Sequence, residues 1–156
     1  LYIAAVIQDE DITADENTPA WQQDGIELRL DYRSDPFRSS SRATREFLDH
    51  LALIVSPSET GKPVYFYKPA QATLIAAELF KEKGLKYACK KYVDRYEAEF
   101  LIPLSFIEEK QGDDWEAIRV NVTHHDLDNE KQKRHEWKPR WGSEHDYTGS
   151  GTFFRR

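Results

Sequence analysis

From Ile26 the chain alternates without a break. Ile26, Leu28 and Leu30 fall on one face of an extended segment, and Glu27, Arg29 and Asp31 on the other. That is the signature of a strand with one face on a core. Similar segments recur with turn residues between them: Leu1 to Gln8, Ile26 to Tyr32, Leu48 to Ser56, Pro63 to Lys68, Leu85 to Tyr92, Tyr96 to Ile102, Ala117 to Thr123 and Gly151 to Arg155. Val93-Asp94-Arg95 reads as the turn of a hairpin between two of them. The first segment, Leu1-Tyr2-Ile3-Ala4-Ala5-Val6-Ile7, is apolar at both parities and predicts a strand covered on both faces.

Only two stretches carry a helical period. Thr73 to Lys83 puts Leu74, Ile75, Leu79 and Phe80 on one stripe and stops at Gly84, and a short turn follows Pro103 through Phe106 and Ile107. The whole predicts an all-β fold, a two-sheet antiparallel sandwich of jelly-roll or immunoglobulin-like type with one short helical insert. At 156 residues it reads as one domain, 1–156. Its abrupt start in an apolar strand and its lack of any methionine suggest a domain without its N-terminal strands.

Charge and composition narrow the partners. The net charge of −6, with 22 basic against 28 acidic residues, opposes a nucleic-acid surface, which needs clustered Lys and Arg. No apolar run approaches the ~20 residues of a membrane span. The single cysteine, Cys89, excludes an internal disulfide framework and, within a strand, reads as an inert thiol. Oligomeric state leaves no trace in the sequence.

The chemistry begins just before the alternating strand. Asn17-Thr18-Pro19-Ala20 leads to Trp21 on a loop, and Glu27 and Arg29 follow on the strand. An aromatic ring beside fixed charged side chains suits a sugar: the ring covers the apolar face of a pyranose, and the charges take its hydroxyls. The competing reading makes Trp21 a lid on the core and Glu27 a solvated strand residue whose ion pairs contribute little.

The order of landmarks resembles the family 9 carbohydrate-binding modules, within the DOMON-like β-sandwich group. The opening "LYIAAVIQDEDI" is similar to the family's first recognisable strand, and "WQQDGIELRLD" to its tryptophan, aspartate and glutamate-bearing strand. "YEAEFLIPLSFI" resembles the long strand ending in an Ile-Pro-Leu turn, "IRVNVTHHDLD" the Asn-bearing strand, and "RHEWKPRW…GSGTFF" the closing tryptophan loop and last strand. These landmarks span nearly the whole chain. Departures are the absent N-terminal strand pair, His124-His125-Asp126 where the family often has an Asp-rich turn, and a long helical insert at Thr73 to Lys83.

The resemblance implies a slot in which two loop tryptophans sandwich a sugar. Trp21 matches the first; Trp141 or Trp137 matches the second. Trp141, between Pro139 and Gly142 after Arg140, makes the better platform, while Trp137 reads as a strand residue facing the core. Glu27 matches the hydroxyl ligand, and Arg29, Arg33 and Arg140 are candidates beside it. The implied partner is a mono-, oligo- or polysaccharide. The implied setting is an accessory module of a secreted polysaccharide-acting protein, extracellular or periplasmic. Trp115 reads as packing on the sandwich edge.

No organic cofactor is implied. The acidic loop Asp9 to Glu16, with Asp9 and Asp11 foremost, has oxygen ligands at the irregular spacing a structural Ca2+ tolerates, but lacks the order of an EF-hand and is equally readable as a solvated loop. His124 and His125 point to opposite faces of a strand and cannot ligate one metal together. The sequence has no Gly-x-Ser-x-Gly elbow, phosphate-cradling glycine loop or His-Glu-x-x-His, and no carboxylate pair marked by an apolar pocket, so it reads as non-catalytic. Two rivals stand: a haem-binding or electron-transfer DOMON-like domain, which without methionine would need histidine or lysine axial ligands, and a structural interaction domain with all its tryptophans in the core.

Overall fold

A computed structural model describes residues 1–33, 50–57, 64–67, 84–137 and 151–156. Among these, the strands are β1 (Tyr2–Gln8), β2 (Gly25–Asp31), β3 (His50–Val55), β4 (Val64–Tyr67), β5 (Lys86–Lys91), β6 (Arg95–Leu101), β7 (Ala117–Asp128), β8 (Lys131–Glu136) and β9 (Thr152–Phe154). A 3-10 turn covers Ala20–Gln22, and the helix α1 covers Leu104–Gln111 directly after Pro103, whose fixed φ suits a helix start. The stripe at Thr73 to Lys83 lies outside the described residues.

The strands form two antiparallel sheets. One has the order β1-β6-β5; the other runs β4-β3-β2-β7, with β8 and β9 sharing the free edge of β7. In register, Leu28 sits opposite Leu53 of β3 and Val122 of β7, and Leu30 opposite Leu51 and Val120. Paired residues share a face, so the alternation read along β2 is repeated across three strands. Ile26, Leu28, Leu30, Leu51, Leu53, Val55, Ile118 and Val120 meet Tyr96, Ala98 and Phe100 of β6 in one buried core, closed by Phe106 and Ile107 of α1. The two-sheet sandwich is as the alternation predicts. Cys89, on β5, packs partly buried against this core, and burial pushes its thiol up to about 12, as an inert thiol requires.

Three features differ from expectation. β1 is not covered on both faces: Ile3, Ala5 and Ile7 pack on the core, but Tyr2 and Val6 are exposed. Its small or aromatic residues at even positions hid an ordinary two-faced strand. β7 runs five residues past Thr123, where the alternating segment was expected to end. β8, Lys-Gln-Lys-Arg-His-Glu, has no apolar period at all; it is an exposed edge strand held by pairing to β7. The turn between them is Asn129-Glu130, both at positive φ (50° and 63°), the two-residue hairpin geometry that matches strand twist.

Candidate functional site

The second sheet has a polar outer face, and it is largely buried. Cross-strand register places Gly25 beside His125, Glu27 beside Thr123, Arg29 beside Asn121 and Asp31 beside Arg119. Glu27, Asp31, Arg119, Asn121, Thr123 and His125 are all buried. Glu27 is therefore not a solvated strand residue. Burial of charge is costly unless each group is engaged, and the two carboxylates of the row meet that condition. His125 donates from Nε2 to Oε2 of Glu27 at 2.8 Å, while Nε of Arg29 donates to Oε1. Asp31 accepts from Nε and Nη2 of Arg33 at 2.8 and 2.7 Å, a two-pronged pair of fixed orientation.

Desolvation acts to raise the Glu27 carboxyl, but the hydrogen bond from His125 and the charge of Arg29 outweigh it and hold Glu27 at about 2. Glu27 is an anion at any physiological pH. Both its oxygens are taken and its side chain is 4% exposed, whereas Arg29 is 18% exposed. Among the described residues, Arg29 shows a hydrogen bond from Nε only. The pair thus orients a guanidinium that is partly exposed.

Trp21 lies in the 3-10 turn before β2 and is 46% exposed, so it is not a lid buried in the core. Its carbonyl accepts from Nε2 of Gln132, which pairs with Leu127 on the outer-face parity. Trp21 therefore stands at the end of the polar row. Trp137 departs from the core-facing reading: it is 51% exposed one residue beyond β8, with its ring 6.2 Å from Phe153. Its amide donates to the carbonyl of Val122, which puts it at the inner-face parity, opposite to Glu27. Trp115 packs against the core as expected, with the Arg155 guanidinium 5.3 Å from its ring. Arg140 and Trp141 lie outside the described residues.

A second constellation occupies the inner face around His124 of β7. Asp9, Asp24 and His124 bring one carboxylate oxygen each and a ring nitrogen to within 4.8 Å of one another. Asp11 does not join them; its amide donates to Oδ1 of Asp9 at 2.9 Å. Asp15 is occupied inside the loop, accepting from the amide of Asn17 and the hydroxyl of Thr18 at 3.0 Å each. Asp24, fully buried, accepts from the amides of Thr13 (2.5 Å) and Leu127 (2.7 Å). Burial raises its carboxyl to about 6 despite those two donors, with the charges of Asp9 and Asp126 adding to the rise. A carboxyl raised by burial does exist here, against the sequence reading. Its neighbours are other carboxylates and a histidine in place of an apolar pocket.

His125 and the buried polar row on β7 are what the sequence reading missed. The signal was present: Arg119, Asn121, Thr123 and His125 alternate as Glu27, Arg29 and Asp31 do, and two polar rows of one period predict neighbouring strands.

The fold is similar to that of a family 9 carbohydrate-binding module. Its structural likeness is to a family 9 carbohydrate-binding module (CBM9) from Caldicellulosiruptor kristjanssonii, solved in complex with cellotriose, with a TM-score of 0.53 and 18% sequence identity. The match covers 85% of this chain, and the chain spans 56% of that protein's length. No family model matches the sequence, and neither does any curated protein. No helix among the described residues is long and apolar enough to cross a membrane.

Proposed function

We propose that this is a non-catalytic carbohydrate-binding domain that holds a sugar on the outer face of its second sheet, at the end marked by Trp21. The observation that carries the reading is Arg29: a guanidinium held by a buried carboxylate on the polar outer face, on the strand that follows the half-exposed Trp21. Glu27 acts as the clamp that orients Arg29, with His125 behind it. Arg29 then supplies direction to sugar hydroxyls, and the Trp21 ring removes apolar C–H surface from water at ~25 cal/mol per Å². The fold supports this reading, since its structural neighbour was solved with cellotriose; a β-glucan or related oligosaccharide is the ligand class to test. Glu27 near 2 is no general acid at neutral pH, which favours binding over glycoside hydrolysis.

On this reading Trp141 remains the candidate second platform, with Arg140 beside it, and the domain accompanies a polysaccharide-acting enzyme outside the cytoplasm. Calorimetric titration with glucose, cellobiose, cellotriose and xylotriose tests the proposal. Saturable one-to-one binding of at least one of them, lost in Arg29→Ala, is expected. Absence of heat with all four at millimolar concentration would sink it.

A further inference from the structure

Among the described residues, three polar atoms around Asp24 are buried with no hydrogen-bond partner: Oδ2 of Asp9, Nε2 of His124 and the hydroxyl of Tyr96. One such orphan in a domain calls for an explanation, and three around a single point call for a common one. Tyr96 is the most telling. It is fully buried on β6, its ring is 6.1 Å from that of His124, and its hydroxyl feels the charges of Asp24, Asp9 and Asp126. It points into the same space from the facing sheet.

The cluster is also electrostatically incomplete. Asp9, Asp24 and Asp126 bring up to three negative charges together. His124 adds a ring nitrogen, Nε2, that is buried without a hydrogen-bond partner among the described residues. Asp126 engages His135, Nε2 of which lies 3.3 Å from its Oδ2, and the His135 ring stacks on His124 at 5.6 Å and 25°. Two backbone amides fix the Asp24 carboxylate while leaving each oxygen a further lone pair.

We propose that Asp9, Asp24 and His124 bind one divalent transition-metal ion, of which zinc is the type case, with the Tyr96 hydroxyl behind it as a fourth contact. Mixed nitrogen and carboxylate donors distinguish this site from an all-oxygen calcium loop. Three donor atoms within 4.8 Å of one another lie no more than about 2.8 Å from a common centre, so a small inward shift brings them to metal–ligand distances of about 2.0–2.4 Å. The ion draws on the residue after β1, the residue before β2 and the middle of β7, so it ties the first sheet to the second. Its role is structural: it binds only the folded state and stabilises it in proportion to occupancy.

The test uses the full chain stripped with chelator and returned to metal-free buffer. Zinc titrated by calorimetry should bind one-to-one and raise Tm, and cobalt(II) should show d–d absorption saturating at one equivalent. His124→Gln should lower zinc affinity by more than the ~10–100-fold typical of losing an outer-shell partner. Asp9→Asn, at a partly exposed position where folding is least at risk, should weaken it comparably. Either no saturable binding of zinc or cobalt(II), or full affinity retained in both variants, would overturn the site. Calcium raising Tm as much as zinc, equally in His124→Gln, would also overturn it in favour of an oxygen-only site. None of these readouts involves a sugar, so the outcome is independent of the carbohydrate proposal.

Discussion

His124 and His125 are adjacent in the chain and serve opposite sides of one sheet. His125 donates to buried Glu27 on the outer face at 2.8 Å, while His124 turns inward to Asp9, Asp24 and Tyr96. The period of two in a strand enforces that separation. A dipeptide that looks like a single metal-binding motif is therefore two single-histidine positions.

Arg29 should be the residue on which sugar binding depends most directly. Arg29→Ala should reduce affinity at least tenfold, and Arg29→Lys should not restore it, because an ammonium lacks the fixed fork of donors. Titration calorimetry with the best oligosaccharide of the panel measures both. Equal affinity in Arg29→Lys and the parent would show that charge alone matters.

Trp21→Ala should abolish binding while lowering stability by less than about 1.5 kcal/mol, since nearly half the ring is already in water. Leu28→Ala, fully buried at the centre of β2, is the contrast and should cost about 2–5 kcal/mol. Denaturant melts of the two variants side by side separate a platform from a core residue.

Stability should fall in acid by way of Glu27. Its carboxyl titrates at about 2 when folded against an ordinary 4.5, so its contribution is complete above about pH 4.5 and is lost as pH falls towards 2. The lowered value corresponds to roughly 3 kcal/mol across that window. Glu27→Gln should be less stable at pH 7 and should show a shallower loss between pH 4.5 and 2. Tm against pH for both proteins checks it; parallel curves would remove Glu27 from the account.

Gly25→Ala should be destabilising although Gly25 sits in an ordinary strand. A Cβ there would stand 2.6 Å from the carbonyl oxygen of Val55, a backbone atom that cannot move without disturbing the pairing of β2 with β3. A loss of about 1–3 kcal/mol is expected for such overpacking. A urea midpoint unchanged from the parent would mean the strands separate more easily than this contact implies.

The sandwich was legible because strict alternation in β2, β6 and the first half of β7 has one physical cause, a core on one side. The helix after Pro103 was legible too, from a fixed φ followed by Phe106 and Ile107. β8 was not, since an edge strand held by backbone pairing needs no apolar residue, and Asn129-Glu130 lacks the glycine that usually announces such a turn. Within the proposed site, the spacing singles out Trp21, Glu27 and Arg29, but not the division of labour between Glu27 and Arg29. That division depends on His125, 98 residues further along the chain, and on burial that no local pattern reports. The acidic loop drew attention to Asp9 and Asp11 together. Asp9 meets its partners only through the fold, whereas Asp11 merely closes a local turn.

β7 is flanked along much of its length, by β2 on one edge and by β9 and then β8 on the other. A strand so enclosed cannot fray outward from a free border; freeing it requires dismantling the sheet around it. Its two histidines, each committed to a different face, thus share one fate during transient openings. Partial unfolding that spares one face and releases the other has no low-energy route here, and both would vanish together in the global transition.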